Sequence, residues 1–300
     1  MDGKPGLHIT IVSDGKPGHL SQSRGLAEAI ARRTPAVIQE SAVGDPVAMP
    51  GGATLTLAAG RTTHRPALRA AARSGGVAIA LMNPGWLNRR RFDLSVIPEH
   101  DGIAASPRVE PTVGVVNAVR PSTDASPEEG LLLIGGPSKH HGWDRNAIDE
   151  QLRAILAADA SVRWTATSSR RTPSDTDELL TALSTESDGR LVYTPASDTP
   201  PGWVADQLQR CGVCWVTEDS VSMVYEALTA GAAVGLLSVP RGRAKVGRVV
   251  GGVESRVERG WVTRFADWCG GGALNTERPR LAEADRVAEV VLERWPRLRG

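Results

Sequence analysis

Short, β-branched apolar runs alternate with helical stretches along this chain, and the alternation stops once and then starts again. Strand-sized runs lie at Leu7 to Val12, Ala53 to Ala58, Val77 to Leu81 and Leu94 to Ile97, with a fifth proposed at Val113 to Val119. Helical spacing fills Leu20 to Arg33 and His64 to Arg73 between them. A strand–helix–strand rhythm of this kind predicts a parallel, doubly wound α/β sheet. After Arg120 the stretch PSTDASPEEG, residues 121–130, reads as a linker because proline, serine and acids cluster there. A second series follows, with strands at Leu131 to Ile134, Val162 to Thr167, Leu191 to Thr194, Val213 to Thr217 and Ala233 to Val239. Its helices are Asp144 to Ala157, Ser174 to Leu183, Trp203 to Arg210 and Ser220 to Thr229. The pattern predicts two Rossmann-like domains, 1–120 and 131–280, with an interdomain cleft, followed by a C-terminal helix in 281–300 that Pro296 stops.

Composition sets bounds on function. The 300 residues carry 35 basic and 34 acidic side chains, a formal charge of +1, so there is no global basic field for nucleic acid and any anion site must be local. The eight tryptophans are scattered and read mostly as packing, not as a stacking platform for single strands. The apolar runs are strand-sized, which predicts no transmembrane segment, and the amino end lacks the features of a secretory signal; a cytoplasmic protein is expected. Three cysteines, Cys211, Cys214 and Cys269, do not make a disulfide framework. Cys211 and Cys214 form a C-x-x-C without a second ligand pair, so packing is the expected role and no metal site is assigned.

Ligands of open α/β sheets bind beyond the carboxyl ends of the strands, which directs attention to the loops there. The first strand runs into Ser13-Asp14-Gly15-Lys16-Pro17-Gly18-His19, where glycines permit close backbone approach and helix amides attract an anion. It matches neither common phosphate-loop pattern, and a tight turn explains it equally well. His19 is either a solvated helix-start residue or a base. Glu99, His100 and Asp101 end the fourth strand, either as a solvated turn or as acid–base groups. The second series opens on Gly135-Gly136-Pro137-Ser138, repeating the strand-then-glycine design. Ser168, Arg170, Arg171 and Thr172 follow the next strand; two arginines beside hydroxyls suit phosphate oxygens, or form a surface basic pair.

The segment Val216-Thr217-Glu218-Asp219-Ser220-Val221-Ser222-Met223-Val224-Tyr225-Glu226 is the most informative. Acids and hydroxyls at a helix start leave amides for an anion, and Glu226 lies four residues after Ser222, on the same face. A nucleoside diphosphate needs donors for its diphosphate and, one turn on, a carboxylate for two ribose hydroxyls.

Taken together, SDGKPGH with Gln22 and GLAEA, then PEHD, LIGGPSK, TSSRRTP and VTEDSVSMVYEA, from about residue 9 to about 240, resemble the mitochondrial-fission ELM family. That family is in turn similar to the GT-B glycosyltransferases. The resemblance implies a nucleoside-diphosphate sugar as substrate, no further cofactor, and an acceptor of unknown identity, with lipid-linked or envelope glycans as the candidate class. It also implies peripheral association with the inner face of a membrane. By the same resemblance Glu226 takes the ribose, Ser220 and Ser222 take the diphosphate, and Arg170 or Arg171 adds charge; Gly135, Gly136, Ser138, Ser168, Thr172 and Asp219 complete the candidate nucleotide- and phosphate-binding set. His19 is the first candidate for the base, ahead of Asp14, Glu99, His100 and Asp101, with Gly15, Lys16, Gly18 and Gln22 forming an acceptor-side loop. The chain departs from the family pattern at Thr199-Pro200-Pro201-Gly202, where relatives carry Asn-Pro-Tyr, and in an arginine- and glycine-rich segment after Val239. A nucleotide-sugar epimerase of similar fold and a non-catalytic adaptor are the competing expectations.

Overall fold

The computed structural model describes residues 6–45, 52–242, 248–268 and 272–299, with the side chains of 248–251 left aside. The chain divides into two compact units, one running to Ala118 and resuming at Ala282, the other spanning Val119–Leu281.

In the first unit the order is β1 (Leu7–Ser13), α1 (Pro17–Ala31), β2 (Ala36–Ala42), β3 (Thr54–Ala59), α2 (His64–Ser74), β4 (Val77–Leu81), α3 (Trp86–Arg89), β5 (Leu94–Pro98) and β6 (Val109–Thr112). The six strands form one parallel sheet in the order β2-β1-β3-β4-β5-β6. Strands of such a sheet are apolar on both faces, and here the faces differ. Leu7, Ile9, Ile11, Leu55, Leu57 and Ile79 pack with α1 on one side, whereas Val12, Ala58, Ala78 and Ala80 meet Ala67 and Ala71 of α2 and Phe92 on the other. Alanines on both surfaces let α2 sit close to the strands.

The second unit runs β7 (Ser126–Leu133), α4 (Arg145–Ala158), β8 (Arg163–Thr167), α5 (Ser174–Glu186), β9 (Leu191–Thr194), α6 (Trp203–Arg210), β10 (Cys211–Thr217), α7 (Val221–Ala230), β11 (Ala233–Leu237), α8 (Arg248–Glu258) and β12 (Val262–Arg264). Its parallel sheet has the order β12-β11-β10-β7-β8-β9. Leu132, Ile134, Trp164, Leu180 and Trp215 anchor its core. The last helix, α9 (Glu283–Arg294), returns to the first unit, where Val287, Ala288, Val291 and Leu292 enter the core beside α1. Arg33 holds it from outside through Asp285 at 2.6 Å and Glu289 at 3.0 Å.

Several expectations need correction. Residues 113–119 form no strand; the sixth strand is β6, four residues earlier. β2 was not anticipated, because four of its seven residues in succession are exposed and carry no clear alternation. The linker's second half is the start of β7. The terminal helix is part of the first unit's core instead of a separate element. Cys211 and Cys214 are buried free thiols, and burial beside Cys211 pushes Cys214 well above the usual thiol range, so it stays protonated. Cys269 and the segment 243–247 lie outside the described residues.

Candidate functional site

Each sheet reverses its direction of growth once, and a crevice for ligand is expected at such a point, beyond the strand carboxyl ends. In the first unit β1 stands between β2 and β3, so the reversal lies at β1 and β3. In the second, β7 stands between β8 and β10. The candidate residues of the first and second glycine-rich loops sit at these two reversals.

In the first unit α1 begins at Pro17, three residues earlier than the periodicity predicts, so Gly18 and His19 belong to its first turn. A proline in the first turn has no amide to leave unpaired. Gly15 takes a positive φ of 75°, and Lys16 precedes the helix as an extended residue. This folds Asp14 back onto His19, whose Nδ1 lies 3.0 and 3.1 Å from the two carboxylate oxygens. The Asp14 side chain is only 8% exposed. Burial alone would raise its pKa, but hydrogen bonds from His19 and Lys16 outweigh it and hold the carboxyl at about 2. An ionised carboxylate only accepts, so Nδ1 carries a proton, and in the neutral ring the lone pair of a base is then on Nε2. Because the folded pKa lies below the ordinary 3.8, this arrangement stabilises the fold at neutral pH and loses its effect as pH falls from about 4 through about 2.

The loop after β3 completes this corner. A Cβ on Gly60, which has a φ of 92°, would stand 2.4 Å from the His19 ring, and Thr62 Oγ1 donates to Asp14 at 3.4 Å. Buried His64 stacks edge-on against Phe92, and burial together with His19 and Arg61 keeps its pKa low. Gln22 is buried and its amide reaches the Met82 sulfur at 3.5 Å. Glu99, His100 and Asp101 form a short 3₁₀ turn at the end of β5, three strand positions from β1. At nearly 5 Å per strand that is roughly 14 Å from the Asp14–His19 pair. Burial lowers the His100 pKa.

The second unit ties three strand-end loops together. Gly135 N donates to Thr217 Oγ1 at 2.7 Å and Gly136 N to Asp219 at 3.2 Å, joining the ends of β7 and β10. Arg171, from the loop after β8, donates to the Gly136 carbonyl at 2.6 Å and to Asp219 at 2.8 Å. Thr172 donates to the Gly135 carbonyl at 2.5 Å. The Asp219 carboxylate is fully buried, and the Gly135 backbone packs against it at a distance a Cβ would abolish. Arg171 and Asp219 therefore brace the loop, while Arg170 is exposed and forms no ion pair among the described residues. Ser138 Oγ accepts from the His140 and His141 amides of its own loop, whereas Ser168 Oγ accepts from the Tyr193 hydroxyl of β9 at 2.9 Å and from the Ala196 amide at 3.2 Å, tying the end of β8 to the end of β9. A Cβ at Gly136 would meet the Arg171 carbonyl at 2.2 Å. Gly136→Ala is accordingly expected to cost about 1–3 kcal/mol by overpacking. Urea unfolding checks this, with Gly142→Ala, whose nearest neighbour lies at 3.4 Å, as the matched control.

Beyond this brace α7 begins. Ser220 occupies its cap position, yet its side chain makes no capping hydrogen bond, and Ser222 is exposed. The first amides of a helix have no partner within it and present partial positive charge. Half-buried Glu226 follows Ser222 by four residues. Glu218 instead turns to the Val239 amide at 3.0 Å. The partners that sequence reading missed, Gly60, Thr62 and the bracing role of Thr217, belong to loops whose adjacency depends on strand order.

Among solved structures the fold is similar to UDP-GlcNAc 2-epimerase from Methanocaldococcus jannaschii, with a TM-score of 0.56 and 11% identity, covering 96% of this chain and 100% of that one. It is also similar to UGT2 of Phytolacca americana in complex with UDP-2-fluoro-glucose and pterostilbene, with a TM-score of 0.50 and 10% identity, covering 98% and 90%. No curated protein sequence matches. Such neighbours establish a GT-B fold, not an activity. The model of the family described as Mitochondrial fission ELM1 matches residues 17–295, and the chain belongs to that family.

Proposed function

We propose that the protein is a glycosyltransferase that takes a sugar from a nucleoside-diphosphate donor and passes it to an acceptor hydroxyl. The observation that carries this reading is the amino end of α7, where Ser220 leaves its hydroxyl unspent on capping beside the helix's unpaired first amides. The donor's diphosphate would sit there against the Gly135-Gly136 loop, with Ser222 and Arg170 adding contacts and Glu226 accepting from the ribose hydroxyls. Helix amides fixed in place stabilise the departing diphosphate without reorganising during the reaction. His19, with Nδ1–H held by Asp14, would take the acceptor's proton on Nε2. The neighbours whose printed names include UDP sugars support the class of donor, although likeness at such low identity establishes only the fold.

Calorimetric titration with UDP-, GDP- and ADP-sugars tests the donor site. One nucleotide series is expected to bind, and Glu226→Ala is expected to weaken it about 10- to 100-fold, the worth of hydrogen bonds to a charged group. Absence of binding by all three, or equal binding by the variant, would overturn the assignment. Conversion of the donor's own sugar without acceptor would reassign the site to epimerisation.

A further inference from the structure

From Pro46 to Phe92 the sequence contains no aspartate or glutamate and seven arginines: Arg61, Arg65, Arg69, Arg73, Arg89, Arg90 and Arg91. The chain as a whole is nearly neutral, so its remaining 28 basic residues face 34 acidic ones, and the positive charge is concentrated in one segment. Its described part forms β3, α2, β4 and α3. The fold places its charges on one layer, because Ala67 and Ala71 of α2 and Phe92, directly after the three arginines, pack against the same face of the sheet. His64 at the start of α2 touches the Phe92 ring, with centroids 5.5 Å apart. Arg65, Arg69 and Arg73 recur every four residues along the exposed side of α2, and none of the seven arginines forms a salt bridge among the described residues.

On α3, in sequence just ahead of Arg89, Arg90 and Arg91, stand two large apolar side chains that the core does not use. Trp86 is 58% exposed and Leu87 68% exposed. The Arg90 guanidinium lies over the Trp86 ring, 4.4 Å from its centroid. We infer that the α2–α3 face docks on an anionic lipid surface, with Trp86 and Leu87 entering the headgroup boundary and the arginines bound to lipid phosphates. Trp and Leu beside arginines that can extend to phosphate is the composition of an interfacial anchor. Two protruding side chains are too few for a stable protein interface, which buries about 800 Å² per partner. A nucleic acid would use the arginines but has no use for exposed Leu87, and the Trp86 face it would stack on is covered by Arg90.

Co-sedimentation of the full chain with vesicles tests this, and its readout does not depend on any nucleotide. Binding is expected to vesicles containing phosphatidylglycerol and to be at least tenfold weaker to pure phosphatidylcholine. Each arginine contributes about fivefold near such a surface, so R65E/R69E/R73E is expected to lower partitioning by about 100-fold or more. W86S/L87S is expected to lower it at high salt as well, where charge attraction is screened. All five positions are at the surface, and unchanged thermal melts confirm intact folding. Equal binding to both lipids, insensitivity to the arginine variant, or binding to duplex DNA with none to vesicles would overturn the proposal.

Discussion

A His19→Ala variant is expected to lose about 10²- to 10⁴-fold in kcat for the proposed sugar transfer while binding the proposed donor nucleotide as tightly as the parent. The separation follows from placement: His19 belongs to the first unit and the proposed diphosphate cradle to the second. Asp14→Asn should come close to the same loss even though it retains shape and hydrogen bonding. Asparagine can present an amide N–H to Nδ1, which favours the opposite tautomer and moves the lone pair away from Nε2. Lys16 also touches Asp14, at 3.2 Å, but its side chain is 67% exposed, and an exposed pair contributes little. Lys16→Ala is therefore expected to cost far less than His19→Ala, because the hydrogen bond between His19 and Asp14 remains. Single-turnover transfer and calorimetry on the same three variants decide the matter: retention of transfer by His19→Ala would remove the residue as base, and parallel loss of donor affinity would point to a binding role.

Much of this arrangement could be read before any coordinates. Strands buried on both faces, such as Val77–Leu81, are continuous apolar runs and announce themselves. Edge strands do not: β2 is exposed over much of its length, and β6 contains Glu110 and Pro111, features that mimic a loop. β7 is an interior strand, yet Pro127, Glu128 and Glu129 give its first half the composition of a linker, and of these three Glu129 pairs, with Arg163 of β8. The candidate loops were legible one at a time. Their partnerships were not, because strand order is a property of the whole sheet. Gly60 meets His19 only because β3 lies beside β1, and Arg171 meets Asp219 only because β8 and β10 flank β7. Arg171, a candidate phosphate ligand in the sequence, pairs in the fold with the buried Asp219 carboxylate. The concentration of arginine between Pro46 and Phe92 was present in the sequence, but a net charge near zero concealed it.

Arg171→Ala is expected to destabilise the second unit by about 3 kcal/mol. The Asp219 side chain has no exposure to solvent, and the guanidinium is the cation that compensates it, at 2.8 Å. Removing one partner of such a pair strands a charge in a poorly solvating interior, at a cost of about 3–5 kcal/mol. The lower end applies because Arg171 is itself 44% exposed and interacts partly through water-screened space. The variant also deletes the donors to the Gly136 and Pro137 carbonyls, so the glycine loop loses its brace along with its counter-charge. Asp219→Asn should cost less, because Arg171 can turn to water and the asparagine oxygen still accepts from the Gly136 amide. The double variant R171A/D219N should then be more stable than R171A alone, since its buried group is neutral. Urea unfolding of the four proteins as a double-mutant cycle checks the sign: simple additivity of the two single costs would show that Arg171 and Asp219 act independently and that the loop is held by its backbone alone.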